Sequence, residues 1–238
     1  IPNIVDIVVK TSHDGGLTWG PTKIIASGNP KGYCDSSLVV DKETGNLILL
    51  FNGNNGFFNS TSSDPIRNYI TISKDNGETW SKPRDITYML YGDECQHYER
   101  KTWEAMFLSS GKALQLRSGR IVVVGVVRKK ETTGFFNYIV YSDDGGQNWD
   151  VGISSGCSDG DEAKVVELNN GDLLMTVWHK PYRYMSVSHN KGLTFDDFYI
   201  RQDMPDPAVN GEIIRYTSKL DGYNKDPILF INDHNSAY

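Results

Sequence analysis

Short apolar runs recur along the chain, each bounded by Gly, Asn, Asp or Ser, and no segment holds a 3.6-residue period for long. Runs at 4–9, 69–72, 138–141 and 184–187 read as strands because β-branched and aromatic residues dominate them. Further pairs flank glycine-containing turns: 37–41 and 46–51 around Gly45, 113–116 and 120–125 around Gly119, and 164–168 and 173–177 around Gly171. A strand, a tight turn and another strand make a hairpin, and hairpins repeated at even spacing predict an all-β protein.

Each of the first four runs leads into a similar octapeptide. The first is Ser12-His13-Asp14-Gly15-Gly16-Leu17-Thr18-Trp19, and 73–80 and 142–149 repeat it. A worn copy at 188–195 has Asn190 for the Asp and Phe195 for the Trp. The pattern Ser-x-Asp-x-Gly-x-Thr-Trp describes a hairpin device. The Asp accepts backbone N–H groups, the Gly supplies a positive φ, and the aromatic folds back onto the hairpin base. Asp14 to Asp75 spans 61 residues, Asp75 to Asp144 spans 69 and Asp144 to Asn190 spans 46, roughly 59 per unit. About four units of four strands each fit in 238 residues, which is how a β-propeller distributes its sheets.

Composition narrows the function. With 24 Lys+Arg against 30 Asp+Glu the formal charge is −6, and the basic pieces are as short as Arg128-Lys129-Lys130. That balance excludes a nucleic-acid partner, and no apolar run approaches a membrane span. Cys34, Cys95 and Cys157 lack metal-ligand spacing and read as buried or free thiols. His97 reads as a loop residue, since nothing at ligand spacing accompanies it. Phe51, Phe57, Phe58 and Trp103 suit either a pocket wall or the core. Asn59-Ser60-Thr61 matches the glycosylation triplet.

The octapeptides resemble the Asp-boxes (BNR repeats) of sialidases, the exo-α-neuraminidases. The segment 161–175, beginning Asp161-Glu162-Ala163-Lys164-Val165-Val166-Glu167-Leu168, is similar to that family's stretch around its catalytic Glu. Cys34-Asp35-Ser36-Ser37-Leu38-Val39-Val40-Asp41 is similar to its Gly-Asp-Pro-Ser-Leu-Val-Val-Asp strand. The resemblance spans essentially the whole chain. It implies an all-β, six-bladed propeller, of which residues 1–238 form a single domain with about four blades, expected to be incomplete at both ends.

The resemblance further implies an exo-α-sialidase that removes terminal sialic acid with retention. Sialidases use a Tyr nucleophile, and a neutral phenol needs a carboxylate beside it to take its proton. Glu162 matches that activating residue. Asp35 matches the Asp that binds the sugar. Three arginines grip the substrate carboxylate in this family, because guanidinium binds it bidentately. The second falls here on Trp178, with Arg183 five residues on as the nearest substitute. The first Arg and the acid/base Asp are expected before Ile1-Pro2, and the third Arg and the Tyr after Tyr238, which is not itself the nucleophile. The expected site is therefore Glu162, with Asp35, Arg183 and Trp178 on the substrate and no cofactor or metal. Expected partners are sialylated glycans or glycoproteins, with a further carbohydrate-binding domain possible outside the chain, in a secreted or cell-surface protein. Trp178 leaves two other readings open: a glycan-binding propeller that has lost its clamp, and a trans-sialidase or related glycosidase with altered acidic-sugar specificity.

Overall fold

The computed structural model describes residues 4–28 and 32–235, so Ile1-Pro2 and Tyr238 lie outside the described residues. Eighteen strands follow in order: β1 (Ile7–Val9), β2 (Lys23–Ala26), β3 (Tyr33–Val40), β4 (Leu47–Asn54), β5 (Ile66–Ser73), β6 (Arg84–Asp85), β7 (Ala105–Leu108), β8 (Gly111–Lys112) and β9 (Leu114–Gln115). They continue as β10 (Ile121–Arg128), β11 (Phe136–Ser142), β12 (Asp150–Val151), β13 (Ala163–Glu167), β14 (Leu173–Val177), β15 (Tyr182–Ser188), β16 (Tyr199–Pro205), β17 (Glu212–Arg215) and β18 (Ile228–Ile231). A single turn of helix, α1 (Thr87–Leu90), packs near β12.

Three antiparallel meanders of four strands form the body: β3 to β6, β7–β10–β11–β12, and β13 to β16. Two-stranded sheets, β1–β2 and β17–β18, flank them. This is the propeller arrangement the octapeptides predict, with the units resolved as three four-stranded blades and two two-stranded pieces. The inner strands also touch across blades. β8, which follows β7 in the chain, pairs in parallel with β3 as a fifth strand of the β3–β6 sheet, and β13 packs against β10 and β17.

All four octapeptides adopt one geometry. Ser73 Oγ donates to Asp75 Oδ1 at 2.8 Å and accepts from Gly77 N at 2.8 Å, while Asp75 Oδ1 accepts from Thr79 N at 2.8 Å. Gly77 has φ 87°, a region from which a Cβ is largely barred. In the worn copy Asn190 Oδ1 accepts from Thr194 N at 2.8 Å, and its amide donates to Thr194 Oγ1 at 2.7 Å. The amide therefore replaces the carboxylate by reversing one donor and one acceptor.

The blades stack through alternating faces. On β4, Ile48 and Leu50 join the core shared with the third sheet, whereas Leu49 and Phe51 pack toward Ile7 and Ala26 of the first. On β10, Val123 and Val127 face one neighbour, and Val122 and Val124 face the other with Ala163, Val165 and Met175. A strand covered on both faces must be apolar at consecutive positions, which explains the runs that first marked these strands. Gly125 interrupts the β10 run because a Cβ there would lie 2.8 Å from Met106 Sδ.

Phe51 and Trp103 are buried in this core. Phe57 packs edge-on to Phe58, Phe107 and Phe135. Phe58 stays 75% exposed. All three cysteines are free, Cys95 and Cys157 buried and Cys34 half-buried. His97 lies in a turn, where its Nδ1 accepts from Arg100 N at 3.3 Å.

Candidate active site

Glu162 immediately precedes β13, the strand of its sheet that meets both neighbouring sheets. Its carboxylate is half-buried and Oε1 accepts two hydrogen bonds, from Ser110 Oγ at 2.9 Å and Asn210 Nδ2 at 3.1 Å. Ser110 leads into β8, and Asn210 lies between β16 and β17. Segments leading into strands of three different sheets thus converge on one carboxylate. Among the described residues no hydrogen bond occupies Oε2.

Beneath it lies Lys164, 4% exposed, whose Nζ donates to Asn210 Oδ1 at 2.9 Å and Ser109 Oγ at 3.1 Å. Burial lowers the Lys164 pKa, and the negative charges of Glu162, Glu212 and Asp35 oppose that shift. Asp161, next in the chain, is pushed up to about 6 by burial first and by the Glu162 charge second, although the Glu162 backbone N–H donates to it. A like charge beside a partly desolvated carboxyl favours its neutral form.

Asp35 belongs to the same neighbourhood, since its charge acts on both Asp161 and Lys164. It sits where the β3–β4 register shifts, between Cys34 and Ser37, with φ 50°. A bulge of this kind re-aims a side chain at the end of a strand, and Asp tolerates the left-handed region better than most residues.

Trp178 extends β14 opposite Glu162: its N–H donates to Glu162 O at 3.0 Å, and its carbonyl accepts from Asp161 N at 3.4 Å. Residues facing each other across a ladder bring their Cβ atoms to about 5 Å. Trp178, half-buried, therefore stands across the ladder from Glu162 at the position where the sequence led us to expect an arginine.

Arg183 is fully buried. Its Nη1 binds Asp206 Oδ2 at 2.5 Å, Val209 O at 2.8 Å and Asn232 Oδ1 at 3.4 Å, and its Nε donates to Thr176 Oγ1 at 3.2 Å. Among the described residues Nη2 is buried without a hydrogen-bond partner. Arg183 so ties down the 206–211 loop that carries Asn210. Gly211 is obligatory there, because a Cβ would approach Nη2 to 2.8 Å.

Electrostatics thus groups Glu162, Asp35 and Arg183, and the backbone ladder adds Trp178. Sequence reasoning missed Ser110, Asn210, Asp161, Lys164 and Asp206. Lys164 and Asp161 stood inside the quoted segment. Ser110 and Asn210 are polar residues at the ends of apolar runs, the only sequence signal they carry. A concavity of about 550 Å³ lies elsewhere, between α1 and β12, lined by Tyr88, His97, Arg100, Tyr141 and Asp150 among others.

The BNR repeat-like domain family model matches residues 4–237. The chain belongs to the BNR-repeat sialidase family. A sialidase of Micromonospora viridifaciens is 32% identical over 234 residues, covering 90% of this chain and 34% of that protein. A Clostridium perfringens sialidase is 28% identical over 223 residues, covering 88% of this chain and 55% of its own length. The chain thus spans about a third to a half of these sialidases. Among solved structures, the Hadza microbial sialidase Hz136 superposes with a TM-score of 0.84 at 22% identity, over 98% of this chain and 48% of that one. The intramolecular trans-sialidase of Ruminococcus gnavus superposes at 0.76 and 16% identity, over 94% and 70%. At those identities the likeness establishes the shared propeller fold of the family.

Proposed function

We propose that the protein containing this chain is an exo-α-sialidase acting on sialylated glycans or glycoproteins outside the cell, and that Glu162 is its activating base. The observation that carries this reading is the Glu162 carboxylate: Oε1 is anchored by Ser110 and Asn210, and Oε2 is open among the described residues. As a tyrosine oxygen bonds to the anomeric carbon, Oε2 takes the phenolic proton. The aglycone leaves with a proton from an acid, and water then reverses the sequence, so configuration is retained. A neutral nucleophile suits an anionic sugar, which would repel a phenolate.

Asp35 receives donors from the sugar ring, and Trp178 offers it an apolar face. Arg183, fully buried and paired with Asp206, lies out of reach of a substrate carboxylate, so the expected grip on the sugar gives way to a part in holding the 206–211 loop. The test is release of a fluorescent aglycone from an α-sialoside by the full-length protein. Glu162→Gln should lower kcat by about 10²- to 10⁴-fold, and turnover like the parent's overturns the assignment.

Trp178 favours a second reading, in which the propeller binds sialylated glycans or transfers sialic acid to another acceptor. Calorimetric binding of a sialoside without turnover selects the first of these. Product analysis showing transfer in place of free sialic acid selects the second.

A further inference from the structure

The hydrogen bonds around Glu162 have a direction, and Lys164 sets it. An ammonium only donates, so the Asn210 atom 2.9 Å from Lys164 Nζ has to be the carbonyl Oδ1. That fixes the amide. Its Nδ2 then points to Ser110 Oγ at 2.9 Å and to Glu162 Oε1 at 3.1 Å. With its oxygen accepting from Asn210, the Ser110 hydroxyl directs its own proton to Oε1 at 2.9 Å. The reversed amide would set NH₂ against NH₃⁺ and carbonyl against carboxylate, two repulsions in place of two bonds.

The loop is built to hold Asn210 there. Asp206 Oδ1 accepts from Ala208 N at 2.8 Å and Val209 N at 3.1 Å, and Arg183 binds Val209 O. Lys164 is 4% exposed and also pinned by Ser109.

We propose that Asn210 is a positioning residue for Glu162, polarised by Lys164 so that the donors converge on Oε1 and leave Oε2 to receive the proton. This rests on Glu162 being the base. The charge of Glu162 acts on Asp161, Lys164 and Arg183, while Asp35 and Glu212 act on Lys164. Chains of hydrogen bonds polarise one another, and a bond to an ionised acceptor is about twice as strong as a neutral one. Losing Asn210 therefore weakens the ionised form of Glu162 and frees its rotamer.

The experiment uses the full-length protein with Asn210→Ala, Asn210→Asp and Lys164→Met. Asn210→Asp retains the size of the side chain and its contact with Lys164 but sets an oxygen against Glu162 Oε1 in place of the donor, so it should move the acid limb further up than Asn210→Ala does. With a fluorogenic sialoside, Asn210→Ala should lower kcat about 10- to 100-fold with KM within about 3-fold, and move the acid limb of the kcat/KM profile up by about one pH unit. Lys164→Met should move the limb the same way. A raised KM at unchanged kcat, or an unmoved acid limb, overturns the proposal. Infrared difference titration of Glu162, assigned with Glu162→Gln, reads the same change without substrate. If the parent hydrolyses no sialoside yet the carboxylate band moves on Asn210→Ala, the functional reading fails and the positioning survives. If the band stays, the positioning fails.

Discussion

Arg183 and Asp206 form an ion pair, Nη1 to Oδ2 at 2.5 Å, in which both side chains are withdrawn completely from solvent. The pair links β15 to the loop that presents Asn210. Removing one partner leaves the other charge buried, at a cost of about 3–5 kcal/mol. Asp206→Ala should therefore lower stability by about that amount in a denaturant titration. Arg183→Met with Asp206→Leu should cost less than the single change, because no orphan charge remains.

Trp178 stands opposite Glu162 on the ladder, where a cation would serve an anionic sugar. Trp178→Arg should lower KM for a sialoside by about 10-fold, the scale of one charge-assisted contact, and leave KM for a neutral glycoside unchanged. An equal change for both substrates would show that position 178 does not face the sugar's carboxylate.

Asp161 carries a pH signature of its own. With its folded value raised from 3.8 to about 6, the protonated form favours the folded state fully below 3.8, and that contribution is lost as pH rises through 6. Asp161→Asn should raise Tm at pH 8 and leave it unchanged at pH 3.5. The same substitution should flatten any rise in KM for an anionic substrate above pH 6, since it removes a charge beside Glu162.

The octapeptides should govern acid unfolding. Hydrogen bonds from Thr18 and Thr79 hold Asp14 and Asp75 at about 2, below the ordinary carboxylate value of 3.8. Their contribution is complete above 3.8 and lost as pH falls through 2. Asp75→Asn should fold at pH 7, as the natural Asn190 shows it can, and should lose less Tm between pH 4 and 2 than the parent. Thermal scans across that range check it.

The blades and turns were legible because their signals are local: a Ser, an Asp and a Gly within five positions specify each octapeptide, and alternation specifies each strand. Glu162 was found only through the resemblance of its segment. Ser110 and Asn210 were not, since they meet Glu162 across 52 and 48 residues of chain. The charge state of Asp161 was equally hidden, because it depends on burial created by neighbouring blades. Arg183 stood out in the sequence, but its ion pair with Asp206 did not, since that pairing depends on β16 folding back along β15 over 23 residues of chain.

The convergence of Ser110, Glu162 and Asn210, each leading into a strand of a different sheet, makes the carboxylate a reporter of ring assembly. Each sheet can form its own ladder from local sequence, yet the donors meet only when all three are docked in register. Activity should thus be the last property regained on refolding, after the spectroscopic signal of the strands. A chain mis-stacked by one blade would have native-like secondary structure and an idle Glu162.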